Sequence, residues 1–555
     1  VYSFYGKNYL YRGNKLDQTR LVSGSFGGEV TNLVKPSRDQ RQRGIDGKVA
    51  FAANQSDIID MLPNDPEHIL LAIDDRVDGN GYPNVRKINV RAGDYTVSQR
   101  AKKEIYDWLT DKDGTPLLGY GTYVDPPKVY IHKSKRDIWS QTAITALIDK
   151  SYYPIDLHED GKTAIFTAKN EKGRRSLGRF DLTNGELVEW LYSNPFYDID
   201  DLYYSQVNGR LVGTGYVDTV SRQIFMEGTE KNVLQSFNEQ FPNTSNRLLS
   251  SDEEGRLWLI STDGGQSTPK IYAYDALTGG ASVLADLYEN IEDEDVAPVK
   301  AHRVMMRDGL VIEVYVTNPV GRGKGPLPTI MMPHGGPRDR DTAEFDYMAQ
   351  LFANRGYRVI QPNFRGSTGY GSRFTSLAYR AWGGAMQDDV TDTAKWAIEQ
   401  GYTDPERICI VGWSYGGYAA MMGTVKTPDL YTCAVSINGV IDLPMLWTDD
   451  RKFIWYRDMR ESIGENRSDL KEISPFHQAD KTKIPVLLVA SKDDDRVSYR
   501  HSKRAYKALK KKKVDVTYIE LKSGGHSVDV DAERITMFKG IDAFLAKHLG
   551  RNTDG

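Results

Sequence analysis

The sequence lacks the features that define several large protein classes. It has two cysteines in 555 residues, too few for a scaffold stapled by disulfides. Cys409 and Cys433 each lie in an apolar, strand-like run. They read as packed thiols rather than as a disulfide or metal site, and they leave the redox compartment open. No apolar run approaches the roughly 20 residues that a membrane-spanning helix needs. Neither sign of charge dominates: 72 Lys and Arg stand against 76 Asp and Glu, a formal net charge of −4. Nothing in that balance suggests nucleic acid or an anionic membrane as a partner. The Lys510–Lys513 run reads as the last turn of a solvated helix, where cations suit the helix dipole. The chain begins with Val1 inside strand-like sequence, so a preceding piece with any signal peptide is expected to be missing, and localisation is left unassigned.

What is present is length and apolar content. With 555 residues, 39% of them apolar, two or three domains with substantial cores are expected. Residues 1–290 carry many short alternating runs and no long helical pattern. Three segments repeat one design of strand, Asx, turn, Gly and next strand: Asn89 to Gly93, Asp181 to Gly185 and Asp275 to Gly279. Similar strand-turn segments fall midway, giving a period of about 46 residues, the signature of propeller blades with several strands each. Five blades are legible and residues 8–34 read as part of a sixth. This region reads as a β-propeller scaffold that controls access, without a catalytic constellation of its own.

After the acidic joint Glu292-Asp293-Glu294-Asp295 the pattern changes. A hairpin over residues 301–317 is followed by alternating strands and helices, which predicts a doubly wound, mostly parallel sheet over residues 291–555. Ile408 to Val411 reads as a buried strand and Tyr418 to Met422 as a helix. Between them stands Gly412-Trp413-Ser414-Tyr415-Gly416. Gly-x-Ser-x-Gly between strand and helix is the nucleophile elbow of the α/β-hydrolase layout.

A serine hydroxyl is a weak nucleophile, so a base must take its proton and an acid must orient the base. In this layout the order is Ser, acid, His. Thr517 to Leu521 reads as the last strand, and the Gly524-Gly525-His526 loop follows it. The strand at 485–490 precedes Asp493-Asp494-Asp495; Asp494 is the favoured acid and Asp493 its competitor. His302, His477 and His501 lack such a setting and read as surface or packing residues. The oxyanion needs two donors. The Tyr415 N–H opens the elbow helix, and the second is expected in His334-Gly335-Gly336-Pro337, at Gly336 or else Gly335. His334 reads as a structural hydrogen-bonding residue of that turn.

These motifs, with Asn363-Phe364-Arg365-Gly366-Ser367-Thr368-Gly369-Tyr370-Gly371 and Asp494-x-x-Val497, resemble the prolyl oligopeptidase family of serine peptidases. The resemblance spans the whole chain and is strongest to its acylaminoacyl-peptidase branch, while Trp413 is also shared with dipeptidyl peptidases. It implies hydrolysis of short peptides through an acyl-enzyme, with the propeller excluding folded proteins. It further implies that Arg496 binds a substrate carbonyl. The aromatic segment Trp447, Phe453, Trp455 and Tyr456, with Val497, is the expected wall for a bulky apolar side chain. Two departures stand out. Ala490-Ser491 replaces the family's His-Gly, and His334 stands where some members carry an oxyanion Tyr. No paired-Glu motif for a free peptide N-terminus is evident. No cofactor or metal is expected, oligopeptides are the expected substrates, and homo-oligomerisation is left open. Two other readings share this sequence: an esterase that uses the propeller as a binding module, and a catalytically silent interaction protein.

Overall fold

A computed structural model describes residues 2–11, 14–24, 30–34, 57–121, 128–132, 139–141 and 153–550, apart from 63, 75–80, 112, 159, 206–209, 253, 265, 323–324 and 450–455. The chain forms two compact units, one of Val1–Gly215 with Ile224–Lys231, the other of Tyr216–Gln223 with Asn232–Gly555.

Up to residue 286 the described chain makes six small antiparallel sheets of three or four strands, each joined in simple sequence order. Successive sheets from the second onward begin at Ile58, Asp107, Pro154, Ile199 and Ser245, so the repeat is 45 to 49 residues long. This is the propeller-like all-β region expected from the repeat. The three repeated turns share one hydrogen-bond design. The side chain of Asn89, Asp181 or Asp275 accepts backbone N–H groups two and three positions on. The glycine four positions on donates its N–H back to the Asx carbonyl at 2.8–2.9 Å. Gly93, Gly185 and Gly279 have φ of 68°, 77° and 72°, a region where only glycine is unstrained. The sheet spanning Ser245–Asp286 belongs to the second unit, although it repeats the design of the first.

The second unit is built on one eight-stranded sheet. Its strands are β1 (Val299–Met305), β2 (Val311–Thr317), β3 (Leu327–Met331), β4 (Arg358–Pro362), β5 (Thr403–Trp413), β6 (Cys433–Ile437), β7 (Val486–Ser491) and β8 (Val516–Leu521), in spatial order 1-2-4-3-5-6-7-8. β1 and β2 form the expected hairpin, and β4, β3 and β5 to β8 run parallel. Helices α1 (Tyr347–Asn354), α2 (Ala385–Glu399), α3 (Tyr415–Lys426), α4 (Arg500–Lys511) and α5 (Asp531–His548) cover both faces. Alternation along a strand sends successive side chains to opposite faces. Ile408 and Ile410 pack with α2 and α3 in one core; Cys409 and Val411 pack with α1 and α5 in the other. Burial on both sides is why β5 reads as an unbroken apolar run.

The two cysteines correct the sequence reading. Cys409 stands directly opposite Cys433 in the β5–β6 register, with Cα atoms 4.7 Å apart, and a disulfide joins them. Strand register is a tertiary property, so neither cysteine's local sequence reveals the pairing. Among the described residues no helix is long and apolar enough to cross a membrane.

Candidate active site

β5 runs straight into α3 through Ser414, whose φ of 57° and ψ of −116° lie where a non-glycine residue is strained. The flanking glycines are steric necessities. A Cβ on Gly412 would sit 2.1 Å from the Gly416 carbonyl oxygen, and one on Gly416 would sit 2.2 Å from that of Pro333. The elbow is therefore wedged against the turn that follows β3. It is pinned on its other side by the Ser414 N–H donating to Ile437 O at 2.9 Å. The Tyr415 N–H opens α3, at the helix end whose amides lack internal partners.

The acid and the imidazole come from the loops after β7 and β8. His526 Nδ1 donates to Asp494 Oδ2 at 2.8 Å; the Asp494 side chain is wholly buried and that of His526 is 23% exposed. A carboxylate only accepts, so the proton sits on Nδ1 and Nε2 is left basic. Asp494 Oδ1 accepts the N–H groups of Arg496 and Val497, both at 2.8 Å. Asp493 is turned to other work, accepting from the Ser491 hydroxyl (2.8 Å) and the Gly525 N–H (2.9 Å). Burial works to raise its carboxyl, but these donors outweigh burial and hold it below the usual carboxylate range.

Two residues that the sequence reading did not assign to positioning hold His526 in place. The Trp413 indole N–H (2.9 Å) and the Asn438 amide (2.8 Å) both donate to the His526 carbonyl. The Asn438 side-chain oxygen also accepts the Ser491 N–H at 2.8 Å, so one buried amide ties the acid loop to the histidine loop. Asn438 itself is held at a φ of 45°. Its sequence signal was an Asn-Gly pair at the end of an apolar run, a turn mark.

Ser414, Tyr415, Gly335, Gly336, Asp493, Arg496, Val497 and His526 line one cavity of about 860 Å³, within the usual range for small ligands. Gly335 is close enough that a Cβ on it would stand 3.7 Å from the Ser414 Cβ. His334 lies behind this turn, stacked on Phe364 with centroids 4.2 Å apart. Its Nδ1 bonds to Gly335 O and its Nε2 to the Ser367 hydroxyl, both at 2.8 Å. Burial pushes its imidazole down to about 4, so it is a neutral brace for the turn.

Of the expected wall residues, only Val497 and Trp447 have described side chains. Val497 lines the cavity, with Trp382, Val440, Leu446 and Met459. Trp447 is not part of the lining described; it packs partly buried on the main core, with the Arg460 guanidinium 4.4 Å from its ring centroid. Phe453 and Trp455 lie outside the described residues, and Tyr456 opens the helix Tyr456–Ile463 with its side chain outside them. The other histidines pack. His302 stacks near Trp396 and Tyr402, His477 lies 3.4 Å from Asp442, and buried His501 accepts the Asp442 N–H at 3.1 Å.

The second unit thus presents an α/β-hydrolase sheet with a serine on its elbow and a histidine–carboxylate pair beside the same cavity. Residues 343–552 match the prolyl oligopeptidase family, Peptidase_S9. The chain carries this family's peptidase domain and is a serine-type peptidase. It is 27% identical over 532 residues to dipeptidyl aminopeptidase BIII of Pseudoxanthomonas mexicana, covering 90% of this chain and 74% of that one. It is 26% identical to the human acylamino-acid-releasing enzyme over 60% of this chain and 48% of the relative. Solved structures share the fold. A puromycin-hydrolyzing peptidase of Mycobacterium tuberculosis has a TM-score of 0.69 at 20% identity, covering 90% of this chain and 80% of that one. A puromycin hydrolase has a TM-score of 0.72 at 17% identity, covering 97% and 84%.

Proposed function

We propose that this peptidase hydrolyses short peptides through an acyl-enzyme formed on Ser414. His526 Nε2 takes the hydroxyl proton as Ser414 attacks the scissile carbonyl, then returns it to the leaving amine. Asp494 fixes the imidazole tautomer and stabilises the imidazolium. The N–H groups of Tyr415 and Gly336 bind the oxyanion, and Arg496 binds a carbonyl of the substrate chain. Water then repeats the sequence to release the acid product. The observation that carries this reading is the 2.8 Å bond from the wholly buried Asp494 to His526, which lines the same cavity as the strained Ser414. A fluorophosphonate probe should label the wild type at Ser414, and Ser414→Ala should lose both labelling and hydrolysis while keeping its melting temperature. Peptidase activity surviving in Ser414→Ala would overturn the mechanism.

The substrate end is the finer part of the proposal. The cavity wall carries Asp339, Asp493, Asp495 and Asp529 against Arg496, a field that favours a cationic group. A free N-terminal amine fits it better than a neutral blocked one, in keeping with the aminopeptidase name of the first relative. Peptides with a free amine should turn over faster than their N-acetylated counterparts in a mixed-library digest read by mass spectrometry. Faster cleavage of the acetylated set would assign the site to blocked peptides instead.

A further inference from the structure

A second cavity, of about 790 Å³, opens at the opposite edge of the eight-stranded sheet, among the amino ends of β3, β4 and β5. Arg358, the first residue of β4, is 3% exposed and lines it. Its partners are all neutral. Nε donates to Asn318 Oδ1 at 2.8 Å, and Nη1 donates to Tyr402 O and, at 3.5 Å, to Gly325 O. The guanidinium also lies 5.2 Å from the Tyr402 ring centroid. Among the described residues Nη2 has no hydrogen-bond partner, and no carboxylate stands within 4.0 Å of the group. Burial pulls its affinity for the proton below the ordinary arginine value.

A buried charge without a counter-ion is costly, and another buried arginine of this unit avoids the cost. Arg365, 9% exposed, is clasped by Asp389 and Asp308 at 2.7 and 2.8 Å. Among the described buried arginines of this unit Arg358 is the exception, and the cavity wall around it carries charge of both signs. Lys300 and Arg322 also line the cavity. Of the two carboxylates on the wall, Asp293 is already held by Lys270 at 2.7 Å, and Glu294 makes no ion pair with Arg358. Val316 and Leu327 supply apolar wall beside the charge.

We infer that this cavity binds an organic anion whose carboxylate or phosphate head docks on Arg358 Nη2 and whose apolar body lies along Val316 and Leu327. The flat guanidinium fork matches two oxygens of such a head. Lys300 supplies the second positive charge. The site is separate from the catalytic cavity, since the two share no lining residue.

The test uses benzoate and phenyl phosphate, with benzamide as the neutral isostere of benzoate at equal ionic strength. Benzoate or phenyl phosphate, and not benzamide, should raise the melting temperature of the wild type in a saturable way; which of the two saturates at lower concentration tells a carboxylate site from a phosphate site. Arg358→Met should weaken apparent binding on the order of tenfold or more, the loss of one charge-assisted contact. Should that variant fail to fold, Lys300→Ala reads the same site from its rim and should weaken binding by a smaller factor. A crystal of the wild-type protein soaked in 4-bromobenzoate should show a bromine anomalous peak in this cavity. Equal shifts with benzoate and benzamide, an undiminished shift in both variants, or bromine only in the catalytic cavity would each overturn the inference.

Discussion

At the scale of single residues, the site separates two adjacent carboxylates by what they face. Asp494 is aimed at His526, while Asp493 secures Gly525 one position earlier. Asp494→Asn should therefore lower kcat by about 10³-fold or more, because it loses the acceptor that selects the imidazole tautomer. Asp493→Asn should lower it far less, and equal losses would mean that the acid has been misassigned. Asn438 calls for a different measurement. Its amide sets the height of His526 without touching substrate, so Asn438→Ala should lower kcat about tenfold or more with KM little changed. A variant that only loses melting temperature would reduce Asn438 to a structural role. The elbow at Ser414 was legible from its neighbours because Gly-x-Ser-x-Gly is a local steric requirement. Which aspartate faces the histidine was not settled by sequence, since three consecutive aspartates follow β7 and only the fold brings one of them to His526. Asn438 was overlooked because its two partners lie 53 and 88 positions away.

At the scale of elements, the loop from Asn363 to Gly371 shows how a legible motif can hide its job. Arg365 binds Asp389 of α2 through both its Nε and Nη2, and its own N–H donates to the same carboxylate. A third arm reaches Asp308 in the β1–β2 turn at 2.8 Å. The loop is thereby fastened to a helix and a hairpin, and its Ser367 braces His334 in the turn that follows β3. Removing Arg365 would leave Asp389 buried without its counter-charge. Arg365→Met should cost about 3–5 kcal/mol in urea unfolding, and a cost below about 1 kcal/mol would show that the clasp is dispensable. The strands and helices of this unit were readable because the 2.0 and 3.6 periods and the glycine turns are local. The apolar wall of the cavity was less readable. Trp382, Leu446 and Met459 meet there from separate segments, which no local pattern brings together.

At the scale of the whole molecule, stability and substrate size are the properties to measure. His501 is 1% exposed; burial first, then Arg504 and Arg500, pushes its imidazole down to about 3. An unfolded chain protonates this group near 6.5, whereas the folded one resists until about 3. The unfolded state thus binds the extra proton, and stability should fall as pH drops below about 6.5, by up to about 1.4 kcal/mol per pH unit from this residue. Urea midpoints between pH 7 and 4.5 should fall less steeply for His501→Asn than for the wild type, and parallel slopes would remove His501 from the account. Substrate size tests the access role proposed for the propeller-like sheets. Intact casein should resist cleavage under conditions that turn over its short fragments, and equal rates would mean that these sheets restrict nothing.

The amino-acid sequence by itself determined the propeller-like repeat, the alternating sheet and the strand-to-helix elbow at Ser414. Each depends on spacing within a few residues: an Asx and a glycine four apart, apolar periods of 2.0 and 3.6, two glycines around a serine. Tertiary structure alone decided the pairing of Cys409 with Cys433, the facing of Asp494 rather than Asp493 toward His526, the Asn438 tie and the buried guanidinium of Arg358. These depend on strand register and on loops meeting across the sheet, contacts that form only when distant segments are packed together.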